Sequence, residues 1–147
     1  MTNYFAFFCI FALKISKNMK KKTIVAVISA LLLVSCQESI NEKAAREAKL
    51  YTQKNCPALL AENIRIDSLA FEPASRTLHY YYTLSGTADT IVPSRQPAMR
   101  EALLHDLKNT TIMKAYKDEG FNFAYTYRSE KNPEAIILDA TFTKDDY

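Results

Sequence analysis

Glycine is nearly absent: the chain has 147 residues and only Gly86 and Gly120. Backbone that hugs a phosphate, or turns sharply beneath a nucleophile, needs glycine. Phosphate loops, dinucleotide fingerprints and nucleophile elbows are therefore excluded. Cysteine is scarce as well, with Cys9, Cys36 and Cys56 and no fourth. Two distant histidines, His79 and His105, cannot complete a metal site with them, so no metal ligand and no cofactor is assigned. No acidic residue precedes Glu38. No apolar run is long enough to span a bilayer stably.

What is present begins at Met19. Lys20, Lys21 and Lys22 form a positive segment, and Ile24 to Val34 form an apolar stretch of eleven residues in which only Ser29 is polar. This is the layout of a secretory signal. The tetrad Leu33-Val34-Ser35-Cys36 resembles the lipobox of bacterial lipoproteins. That resemblance implies cleavage before Cys36, a diacylglycerol on its sulfur and a further acyl chain on the new amino group. Two or more chains make a stable membrane anchor. Gln37 lacks the aspartate associated with inner-membrane retention, which points to the outer membrane. Residues 1–18 hold a second apolar run, Tyr4 to Leu13, too short to cross a membrane. They read as a misassigned extension before a true start at Met19. The expected order is extension 1–18, signal peptide 19–35, short tether 36–39 and one domain, 40–147.

Cleavage changes the meaning of the charge. Five of the nineteen Lys and Arg precede Cys36, and all sixteen acids follow it. The chain from Cys36 onward thus carries fourteen cations and sixteen carboxylates, a net −2, where the whole carries +3. The basic excess belongs to the discarded segment and gives no reason to expect nucleic acid as a partner. Cys56 is left alone. A lone thiol in an oxidising compartment is buried, reactive or bridged to another chain, and beside Pro57 burial is the default.

Ser39-Ile40-Asn41-Glu42 reads as a capping box opening a helix over 40–54. Ile40, Ala44, Ala48 and Tyr51 share one face, a thin stripe that predicts loose association. Strands follow at 67–72 and 77–85. In the second, Leu78, Tyr80, Tyr82 and Leu84 face one way, and His79, Tyr81 and Thr83 the other. Thr87 to Gln96 reads as a polar loop. Pro97 opens a helix with Met99, Leu103 and Leu107 in line, and a second helical piece ends at Gly120. Phe121, Phe123, Tyr125 and Tyr127 alternate with polar positions, as do Ile136, Leu138, Ala140 and Phe142 across a turn at Asn132-Pro133. The expected fold is α+β: a two-layer sandwich in the order helix, hairpin, helix, hairpin, with an antiparallel sheet.

No catalytic residue is assigned. His105 beside Asp106 on a helix points elsewhere, and Asp118-Glu119 and Asp145-Asp146 read as solvated charge. The outer sheet face gathers His79, Tyr81 and Arg128 with Thr83, Asn122, Thr126, Asp139 and Thr141. It is a candidate binding face if the first helix leaves it open. Asn55-Cys56-Pro57, Ile66 to Leu69, Thr77 to Leu84, Gly120 to Tyr127 and Thr143 to Tyr147 together resemble a group of small uncharacterised bacterial envelope proteins. That group often has a late cysteine pair, which this chain lacks. The resemblance implies an envelope domain and no particular reaction.

The functional expectation is a lipid-anchored, non-enzymatic module, bound to the membrane through Cys36, that binds another envelope component, such as an envelope protein, or a small ligand, with the polar sheet face available for it. The alternatives are a small hydrolase-like enzyme with a site assembled by the fold, and an inhibitor-like module presenting loop 86–96.

Overall fold

Ser39 starts the first helix by the reciprocal bonds that its sequence promised. Its hydroxyl accepts from Glu42 N–H at 3.2 Å, and the Glu42 carboxylate accepts from Ser39 N–H at 2.9 Å. The computed structural model describes residues 38–147. Cys36 and the assignments to 1–18 and 19–35 lie outside the described residues. Among the described residues no helix is long and apolar enough to cross a membrane.

The first helix, α1, spans Ile40–Asn55. Strands β1 (Ala58–Ala61), β2 (Ile64–Glu72) and β3 (Thr77–Leu84) follow. A helical excursion comes next: α2 (Gly86–Ile91), a 3₁₀ turn at Val92–Arg95, α3 (Gln96–Asn109) and α4 (Lys114–Asp118). Strands β4 (Asn122–Ser129) and β5 (Ile136–Phe142) close the chain. The segment expected to be a polar loop is therefore helical. Gly86 makes the turn into it at φ +50°, where an added Cβ would lie 2.5 Å from Asn63 Oδ1.

The five strands form one sheet in the order β1-β2-β3-β4-β5. Three pairs are antiparallel, and the central pair, β3 with β4, is parallel. The fold is the expected α+β sandwich, with this one seam running the other way. In-register pairing sets Tyr80 against Tyr125 and Tyr82 against Tyr127. Their rings stack with centroids 5.2 Å and 4.5 Å apart, which welds the two hairpins together.

All helices contribute their buried side chains to one sheet face. Ala44 and Ala48 of α1 and Leu107 of α3 pack with Leu78, Phe121, Phe123 and Phe142. Ala88 and Val92 of the excursion, with Met99 of α3, pack against Ile66, Tyr82, Leu84 and Tyr127. Each fully buried side chain of this size contributes about 1.5–3 kcal/mol. The thin stripe of α1 turns out to be a reason for tight packing, not loose: Ala44 and Ala48 are 0% and 2% exposed, because small side chains let the helix approach closely. The Thr52 hydroxyl then bonds both backbone groups of Leu69 on β2.

Candidate interaction face

Alternation on β3 sends His79, Tyr81 and Thr83 to the face opposite the helices, and register with β4 places Ala124, Thr126 and Arg128 beside them. β5 adds Asp139 and Thr141 on the far side. These side chains share the sheet face opposite the helices, and α1 packs on the other one.

His79 is its centre. Nδ1 lies 2.8 Å from Glu72 Oε1, and Nε2 lies 2.8 Å from Thr126 Oγ1. The Thr126 hydroxyl donates in turn to Asp139 at 3.2 Å. That hydroxyl has one proton, so while it serves Asp139 the contact from His79 must bring its own N–H. Tyr81 stacks on the imidazole with centroids 4.1 Å apart and its hydroxyl 3.0 Å from Nδ1. Burial, with Glu72 nearby, pushes the Tyr81 phenol up.

A second cluster lies along the same face. Asp67 accepts from Arg65 Nε at 2.7 Å and from the Thr83 hydroxyl at 2.6 Å. Arg128 stands on this face but outside the His79 row; its Nη1 donates to the Pro133 carbonyl at 3.1 Å. Of the three residues singled out from the sequence, His79 and Tyr81 are brought together and Arg128 is set beside them. Glu72, Arg65 and Asp67 were not anticipated. Their roles depend on the register of β2, which shifts between Ile66 and Ser68 and has no signature in the sequence.

Hydroxyl, imidazole and carboxylate stand here in the order of an activated nucleophile. Access argues against that chemistry. Thr126 is 4% exposed, with its hydroxyl pinned between His79 and Asp139. His105 is set apart on α3, solvent-exposed, with Nδ1 3.6 Å from Asp106 and Nε2 3.1 Å from Asn109 Nδ2. A cavity of about 550 Å³ lies elsewhere, lined by Lys108, Lys114, Lys117, Asp118, Lys144 and Tyr147 among others. It reaches neither histidine. Among the described residues no group of His, Cys, Asp and Glu is placed to hold a metal ion.

Several solved structures share this architecture. A candidate secreted protein from Pseudomonas aeruginosa matches with a TM-score of 0.61 and 12% identity, over 75% of this chain and 98% of that one. The pilotin EpsS of the Vibrio vulnificus type 2 secretion system matches at 0.57 and 10%, over 71% and 87%. The type II secretion pilotin AspS of Vibrio cholerae matches at 0.53 and 16%, over 71% and 89%. At these identities the likeness is one of fold. No curated protein matches the sequence. A family model does, across residues 39–138, and the chain belongs to that family, the domain of unknown function DUF8479.

Proposed function

We propose that this chain is a lipid-anchored envelope module that binds a protein partner and carries out no reaction of its own. The observation that carries it is the open sheet face. Its polar side chains are held by one another in fixed positions, while every helix packs on the other side. A preordered polar surface loses little side-chain entropy when a partner binds. His79 and Tyr81 supply a flat, stacked contact, and Arg128 supplies a charge. The fold shared with two pilotins of type II secretion systems supports the same reading. The lipid belongs on Cys36, and the outer membrane is the destination that Gln37 favours.

The test is crosslinking in cells followed by purification of the acylated protein from native membranes. A specific envelope protein is expected with the native chain, and it is expected to be lost from Tyr81→Ala combined with Arg128→Glu. Equal recovery from both chains, or none from either, overturns the reading. Anchoring is read separately: Cys36→Ala is expected to leave the membrane pellet after a high-salt wash, and retention there removes the lipid from the account.

A further inference from the structure

The end of the domain where α1 begins carries a surface unlike the open sheet face. Glu38, two residues after Cys36, is clamped by Arg46 through two bonds of 2.8 Å and 2.9 Å. Asn41 in the first turn accepts from Arg76 at 3.3 Å, and Arg76 pairs with Glu119 at 3.7 Å. The next residue, Gly120, lies against the Lys144 side chain. Lys144 in turn lines the cavity with Lys108, Lys114 and Lys117. The lysine-lined cavity and the start of the domain are therefore at one end of the molecule.

Two of these lysines are occupied. Lys117 donates to the carbonyls of Leu107, Lys108 and Thr110, closing the end of α3, and Lys114 pairs with Asp118 at 2.6 Å. Lys108 and Lys144 have no carboxylate within 4 Å among the described residues. The acids here keep their charge: Glu38 pairs with Arg46, Glu119 with Arg76 and Asp118 with Lys114, while Asp146 is held by the Thr143 N–H and hydroxyl with Lys108 nearby, and Asp145 has no cation within 4 Å among the described residues. Between α3 and α4 stands Ile112, 82% exposed, the barest large apolar side chain described. Ile112 stands between Lys108 and Lys114 in the chain, an apolar side chain that can enter a bilayer interface beside cations that stay at its polar surface.

We propose that this end docks on the bilayer, with Ile112 entering the interface and Lys108 and Lys144 meeting anionic phospholipid headgroups. The orientation rests on acylation of Cys36, which would set Glu38 within a reach of about 7 Å. A docked domain of this kind holds the open sheet face upright, at the side of the molecule, where a partner can approach. Leu59, also exposed, lies on β1 beside the beginning of β2, at the opposite end.

Residues 38–147 form one compact unit with its own core, so this domain can be tested without its lipid. It is sedimented at low salt with vesicles of phosphatidylethanolamine and phosphatidylglycerol, and with vesicles of phosphatidylcholine. Binding to the anionic vesicles alone is expected. Lys108→Gln with Lys144→Gln should weaken it about thirtyfold, from two charges near an anionic surface. Ile112→Asp should abolish it, and Leu59→Asp should leave it unchanged. No binding, equal binding to both vesicles, or indifference to the Lys108, Lys144 and Ile112 changes overturns the proposal. Because the domain used carries no lipid, these outcomes are independent of the Cys36 experiment.

Discussion

The Thr52 hydroxyl donates to the Leu69 carbonyl at 2.7 Å and accepts from the Leu69 N–H at 2.8 Å. One side chain of α1 thus completes a backbone position of β2 that β1, which pairs only at Ile64 to Ile66, leaves unpaired. Thr52→Val keeps the shape and removes both bonds. The expected cost is about 1–3 kcal/mol, because two part-buried backbone groups lose their partner. Urea unfolding measures it, and an unchanged midpoint would show that water replaces the hydroxyl without loss.

The stacked tyrosines at the parallel seam should couple. Tyr82→Ala and Tyr127→Ala are each expected to cost about 3–5 kcal/mol by analogy with other large aromatic truncations. A double-mutant cycle should return an interaction of about 0.5–1.5 kcal/mol beyond burial. Simple additivity of the two losses would mean that the 4.5 Å stack contributes only area.

Alkali should unfold this domain earlier than its tyrosine content alone implies. Burial pushes the Tyr125 phenol up to about 12, and raises those of Tyr80, Tyr82 and Tyr127 as well. An unfolded tyrosine ionises near 10. Above that, the unfolded chain sheds protons that the folded chain keeps, so stability is fully present below about pH 10 and falls as pH rises through the folded values. Each buried tyrosine adds a slope of about 1.4 kcal/mol per pH unit in that window. Urea midpoints followed from neutral to strongly alkaline pH should stay level and then drop with tyrosinate absorbance. Midpoints that stay level throughout would contradict the assigned burial.

Cys56 should be a sluggish thiol. Burial first, and then the Asp67 carboxylate, push its pKa up and disfavour the thiolate that reacts. Its labelling by a maleimide near neutral pH is expected to be slower than that of a free thiol, and to speed up in urea. Labelling at the free-thiol rate in native buffer would place Cys56 at the surface.

The sequence was most readable where one pattern acts alone. Ser39 with Glu42 marks α1, and the alternation from Thr77 to Leu84 assigns His79 and Tyr81 to one face without any knowledge of partners. It was unreadable where pairing decides. Alternation is the same for parallel and antiparallel neighbours, so the direction of the β3–β4 seam left no trace. β1 is four residues long, Ala58 to Ala61, too short for a period to show. On β5 the shift between Tyr127 and Arg128 leaves Ile136 exposed and buries Ile137, where unbroken alternation assigns Ile136 inward. Glu72 became a partner of His79 only because β2 and β3 pair as they do.

The parallel seam sets a timetable for the molecule as it is made. The β2–β3 hairpin emerges first, yet one side of β3 gains its neighbour only after residues 85–121 have followed and Asn122–Ser129 has arrived. Throughout that interval Leu78, Tyr80 and Tyr82 lack their companions from β4. At this half-built stage the chain has an open strand border, the condition in which binding by a holding chaperone protects most.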